Sequence, residues 1–281
     1  MRCVKLICAV ISASLLSSAA LAADLPIDPP PAYAPPPADF GGWYLRGDIG
    51  FANQSVKRLD NALDATLLTQ NLQLGFDSAG IYGFGVGYQF NSWFRFDVTG
   101  QYRGSAHFHG LDVNTFPTGG GGVGFGSDTY SARASGWLVL ANAYADLGTW
   151  WRVTPFIGAG VGTSRLSVSN FVDQGLINSG AGSMAGAAFA DNTSKWNFAW
   201  AAYAGFAYQV THGMTLELAY RYVDLGNGMS GDIRTFDGTN GIFNPTTFRH
   251  ITSQDLTLGV RWLLEPTPIY MPPPAALVRK G

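Results

Sequence analysis

The sequence predicts an all-β chain: an up-and-down antiparallel transmembrane barrel of eight strands. Three observations predict it. Apolar and polar residues alternate with period two through most of the chain, which is the strand signal. The connections between the alternating stretches are by turns short and long, as in a barrel with tight turns at one rim and extended excursions at the other. The tryptophans gather near strand ends, where a membrane has its two interfaces.

Composition sets the frame. The chain has 281 residues, with 13% charged, 14% aromatic and 36 glycines. A soluble protein carries about 25% charged residues, whereas an apolar outer face and a crowded interior favour this balance. A formal charge of −2 supplies no basic footprint for nucleic acid. Cys3 and Cys8 are the only cysteines. Both fall in a segment with a positive start at Arg2 and Lys5, an apolar stretch from Leu6 to Leu16, and the Ala20-Leu21-Ala22 pattern of a cleavage site. Residues 1–22 therefore read as a secretory signal peptide, and removal before Ala23 takes away both cysteines, leaving no disulfide framework and no thiolate metal site. Residues 23–39 form a Pro-rich periplasmic segment. Residues 40–263 are the barrel, and 264–281 a second Pro-rich tail. Such proline density suits extended polyproline II and not helix or sheet.

Within the barrel the clearest strand runs from Phe94 to Arg103. Phe94, Phe96, Val98, Gly100 and Tyr102 take one face; Arg95, Asp97, Thr99, Gln101 and Arg103 take the other. The same division sets Trp43, Leu45, Ile49 and Phe51 against Tyr44, Arg46 and Asp48. It sets Tyr82, Phe84, Val86 and Tyr88 against Ile81 and a row of glycines, and Trp196, Phe198, Trp200 and Phe206 against small residues. Leu216, Leu218, Tyr220 and Tyr222 oppose Glu217 and Arg221. Leu256, Leu258, Val260 and Trp262 oppose Asp255, Thr257 and Arg261. Stretches 135–147 and 155–167 are strand-like but so rich in Ala and Gly that their faces stay unassigned. Connections near 91–92, 148–154 and 210–214 are short; those near 52–77, 104–132, 168–194 and 225–252 are long and read as four loops. An even strand number with this order puts both termini in the periplasm and the loops outside the cell. Trp43, Trp93, Trp150, Trp151 and Trp262 then mark the short-turn interface, and Trp137, Trp196 and Trp200 the opposite one.

At these residues a family resemblance becomes visible. The Ala22-Ala23-Asp24-Leu25-Pro26 junction, the lead into Phe40-Gly41-Gly42-Trp43-Tyr44-Leu45-Arg46-Gly47, Asn142 to Gly148, and Thr154 to Gly162 together carry it. The chain resembles the small outer-membrane β-barrel surface antigens of alphaproteobacteria, related to opacity-type and OmpA-like barrels. The resemblance implies an abundant outer-membrane protein with structural, surface-exposed or porin-like roles, and no reaction. Trp262 is in phase to be the terminal aromatic of such a barrel, although a Pro-rich tail follows it.

Candidate chemistry is sparse. His107 and His109 share a strand face, but only Asp112 is nearby and a metal site needs three or four ligands; no metal and no cofactor is expected. Gly119 to Gly126 lacks the Gly-Lys-Ser/Thr ending of a phosphate loop and reads as flexible loop. His250, Ser253 and Asp255 form the one set a rim hydrolase could use; no catalytic residue is assigned. The strongest feature is a set of inward charges: Arg46, Asp48, Arg95, Asp97, Arg103, Glu217, Arg221, Asp255 and Arg261. Buried charges must pair or sit in water, and eight strands leave room only for side chains. The expectation is a surface-exposed structural protein whose lumen is closed by ion pairs, the alternatives being a small-solute porin or ion channel and a lipid-modifying hydrolase. Its expected partners are outer-membrane lipid and lipopolysaccharide, the barrel-insertion machinery and an extracellular ligand of the loops.

Overall fold

The structure is a computed structural model and describes residues 41–61, 68–119, 121–180 and 182–264. The expected signal peptide and both Pro-rich segments, before Gly41 and beyond Leu264, lie outside the described residues. Hydrogen bonding defines ten strands: β1 (Gly42–Asp60), β2 (Leu68–Phe76), β3 (Ala79–Gln89), β4 (Phe94–Pro117), β5 (Val123–Asp146), β6 (Val153–Asn178), β7 (Ser183–Ala190), β8 (Thr193–Gln209), β9 (Met214–Thr235) and β10 (Pro245–Leu263). They build eight staves. β2 and β3 lie in succession along β4, interrupted at Asp77-Ser78, and β7 and β8 lie in succession along β6, interrupted at Asp191-Asn192. All pairings are antiparallel, and β10 returns to β1, so the sheet closes on itself.

The registers fix the barrel's shear. From Leu45 the paired residues run through Val86, Val98, Ala141, Val161, Trp200, Asp224 and Thr252, and return to β1 at Ser55. One circuit therefore climbs from position 45 to position 55, ten residues. With eight staves this shear tilts the strands about 40° from the axis.

The alternation has the physical cause read from the sequence. Trp43, Leu45, Ile49 and Phe51 are exposed on the outer face, while Tyr44, Arg46, Asp48 and Ala52 are buried in the lumen. All eight tryptophans are at least 41% exposed and point away from the lumen. The outward apolar run on β1, Trp43 to Phe51, rises about 20 Å along the axis at that tilt. β5 and β6, left unassigned by their Ala and Gly content, turn Leu138, Leu140, Asn142, Tyr144 and Asp146 inward from β5 and Phe156, Ser164, Leu166 and Val168 inward from β6. On β3 the lumen face is glycine for want of space: a Cβ on Gly87 would run into the Tyr44 ring, and one on Gly85 would sit 2.8 Å from Thr99 Cγ2. At the short-turn end Asn91 closes the β3–β4 turn, its side-chain oxygen accepting from the Trp93 and Phe94 amides at 3.0 and 2.8 Å.

The four long segments correct the sequence reading. They are not loops of two dozen residues. The strands continue through most of them, so β4, β5 and β6 reach 24, 24 and 26 residues. What joins the strands at that rim is residues 61–67, 118–122, 179–182 and 236–244. Gly124 and Gly126, read as flexible loop, lie in β5. The extension is stabilised by an apolar core above the charged part of the lumen. Phe76, Phe108, Phe171 and Phe248 are buried there, with Phe108 and Phe248 edge to face at 5.0 Å between ring centres and Phe171 and Phe248 at 6.3 Å.

Candidate functional site

The lumen holds two tiers of charge. In the tier nearer the short turns, Glu217 receives three arginines: Arg95 at 2.9 Å, Arg261 at 3.3 Å and Arg46 at 3.4 Å. Arg46 also bridges Asp48 and Asp97, at 2.8 and 2.9 Å, and Arg95 reaches Asp146 at 3.2 Å. Aromatic and amide groups lock these charges. Tyr44 Oη donates to Asp97 Oδ2, Asn142 Nδ2 donates to Asp97 Oδ1, and Tyr203 Oη donates to Asn142 Oδ1. The Arg95 guanidinium lies 4.3 Å above the Tyr144 ring. In the second tier Asp255 is held by Arg103, with one nitrogen to each carboxylate oxygen at 2.9 and 2.8 Å, and by Arg221 through Nε and Nη2 at 3.0 and 2.7 Å.

All nine charges expected inside therefore lie in the lumen, and the structure sorts their partners. Glu217 meets Arg95 and Arg261 but not Arg221, which belongs to Asp255. Within these two tiers parity reasoning missed a tenth charge, Asp146, because the face of its strand was unassigned. Its signal was there: it continues the even-numbered polar row of Asn142 and Tyr144. With Asp146 the five lumen arginines meet five carboxylates. The recess lined by Arg46, Asp48, Thr99, Gln101, Tyr144, Tyr203 and Arg221 has a volume of only about 10 Å³, room for one water centre.

The other candidate sets are not brought together. Ser253 faces the lumen, donates to Asp255 Oδ1 at 2.5 Å and accepts from Arg103, whereas His250 is exposed at a left-handed position with φ 51°. No nucleophile–base pair forms among these three. His107 and His109 both point outward, and His109 meets Asp77 at 3.2 Å; among the described residues no group of three metal-ligating side chains forms.

At the long-hairpin mouth a cavity of about 680 Å³ is lined by Asp112, Asp128 and Asp173 with Asn114, Tyr130 and Ile233 among others. Burial, followed by repulsion from Asp128 and Asp112, pushes the Asp173 carboxyl up to about 7. A carboxyl raised in the folded state burdens folding while it is ionised, above about pH 7, and the burden lifts as pH falls toward its ordinary value of 3.8. Stability should therefore rise on acidification from pH 8 to 5. Asp173→Asn should flatten that rise in urea titrations at the two pH values. An equal slope in the variant would remove Asp173 as its source.

The family model for the outer membrane protein beta-barrel domain matches residues 8–262. The chain belongs to that outer-membrane β-barrel family. Similar proteins include an uncharacterized protein of Brucella abortus, 30% identical over 75% of this chain and 78% of its own length. A candidate adhesin of Rickettsia bellii is 29% identical over 92% and 97%, and outer membrane protein PagN of Salmonella typhimurium is 26% identical over 69% and 81%. Among solved structures, outer membrane protein OprG of Pseudomonas aeruginosa is 14% identical, covers 79% of this chain and 96% of its own, and superposes with a TM-score of 0.42. This outer-membrane barrel thus carries its lipid-facing aromatics and its lumen charges on one continuous family domain.

Proposed function

We propose that the protein is a closed outer-membrane anchor that holds four strand-extended connections outside the cell, with both termini in the periplasm, and acts through that surface and not as a pore. The observation that carries this reading is the lumen: five arginines against five carboxylates, a 10 Å³ recess beside them and a phenylalanine layer above. A conducting channel needs a continuous water path, and paired charges packed against aromatics oppose one. Similarity to a candidate adhesin supports a role in surface attachment.

Planar-bilayer recording of the refolded protein should show no large steady conductance. A persistent open channel would favour the small-solute porin instead. Orientation is tested separately. Protease added to intact cells should cut at 118–122, 179–182 or 236–244 and spare the turns at 90–93 and 210–213. The reverse pattern would invert the topology.

A further inference from the structure

Outside the lumen, the pairing rule breaks. Arg133 on β5 and Arg165 on β6 are exposed on the outward face, and neither has a carboxylate within ion-pair distance among the described residues. Both stand at the edge of the apolar band. Trp137 is the register partner of Arg165, and the Arg165 guanidinium lies 5.9 Å from the centre of the Trp196 ring on the next stave. Arg133 is four residues further from Trp137 toward the long hairpins, about 10 Å higher along the axis. On the far side of the barrel Lys57 and Arg249 take the same place beyond Phe51 and Leu256, and they line an open recess of about 350 Å³. Most outward carboxylates toward this rim are engaged with cations, Asp60 with Arg58 and Arg249, Asp77 with His109 and Asp191 with Arg234, while Asp224 accepts from the Gly226 amide.

The geometry points to a binding track for the phosphorylated headgroup of an outer-leaflet glycolipid, with Arg165 at the acyl–headgroup boundary and Arg133 reaching a phosphate further out. Three features select this occupant. An arginine beside tryptophans at a membrane edge keeps its stem in apolar surroundings and its guanidinium among headgroups. A guanidinium binds phosphate through two parallel hydrogen bonds. The charge is unmatched where an anionic surface would match it, in contrast to the lumen, where every arginine meets a carboxylate. The placement rests on the proposed orientation with the long hairpins outside. The binding itself does not, since a vesicle can carry the lipid in both leaflets.

The test uses the full chain refolded into phosphatidylcholine vesicles, with and without lipopolysaccharide, reading lipid affinity by the shift of its thermal unfolding midpoint. Each Arg→Gln change at 133 or 165 should weaken the interaction about fivefold, and the double variant roughly thirtyfold. Arg152→Gln, at the short-turn rim, should leave it unchanged. Dephosphorylated lipopolysaccharide should give a much smaller shift than the intact lipid, and inorganic phosphate alone should give none. Retention of full affinity by the double variant would overturn the inference, as would equal binding of the dephosphorylated lipid or an equal shift with free phosphate. Because Arg133 and Arg165 are exposed, heat-modifiable gel migration should show both variants fully folded. Proteolysis of intact cells decides the orientation independently.

Discussion

Asp255→Asn should destabilise the barrel by about 3–5 kcal/mol in urea unfolding from lipid vesicles. The aspartate is fully buried and is the carboxylate that Arg103 and Arg221 share, both of them at most 2% exposed. Its replacement strands two guanidinium groups at once, and neither has another carboxylate within ion-pair distance among the described residues. Glu217→Gln makes an informative comparison. Although three arginines reach Glu217, Arg46 keeps Asp48 and Asp97, and Arg95 keeps Asp146. Only Arg261 loses its partner, and it is 11% exposed at the side chain. The cost should therefore fall below that of Asp255→Asn, near the low end of the same range. Equal stability of Asp255→Asn and wild type would mean that water, and not the aspartate, satisfies the two arginines.

Val98→Arg should cost about 2–4 kcal/mol, the penalty for a cation at the bilayer midplane. Val98 lies mid-strand on the outward face, between Phe96 and Gly100, and its cross-strand neighbours are Val86 and Ala141. Leu218→Arg on β9 should behave alike. A neighbouring lumen position is no mild control. Parity suggests that arginine at Thr99 costs less than at Val98, but Thr99 is 3% exposed and accepts from Asn142 Nδ2 at 3.0 Å, so a large side chain there meets a full interior. In phosphatidylcholine vesicles free of lipopolysaccharide, Arg133→Gln, beyond the apolar band, serves as the neutral comparison. A Val98→Arg loss as small as that of Arg133→Gln would show that this strand face does not meet lipid.

Much of this was legible because two solvents act on one strand. Lipid excludes charge from one face and the lumen gathers it on the other, so Arg95, Asp97 and Arg103 report their direction by residue type alone. The signal fails where neither solvent constrains the choice. On β5 and β6 alanine and glycine suit both faces, which hid Asp146 and the inward Leu138 and Leu140. Beyond the bilayer the outward face need not be apolar, so strands there resemble loops in composition. A register irregularity between Arg103 and Ala106 also breaks the two-residue rhythm on β4. The inward row Ala106 and Phe108 follows, but out of phase with Arg103. The phenylalanine layer was illegible for another reason: Phe76, Phe108, Phe171 and Phe248 are far apart in sequence, and only closure of the ring assembles them.

That closure also governs how the protein can be made. The seam between β1 and β10 joins Tyr44 to Leu263 and Asp60 to Thr247, contacts separated by roughly two hundred residues, which places assembly at the slow extreme of contact order. Until that seam forms, β1 and β10 each present a whole edge of unpaired amides and carbonyls. Hydrocarbon offers nothing to satisfy them. A partly built sheet therefore has no stable resting place in the bilayer. Insertion and closure must proceed together, with the pairing of β1 to β10 removing the two open edges at once.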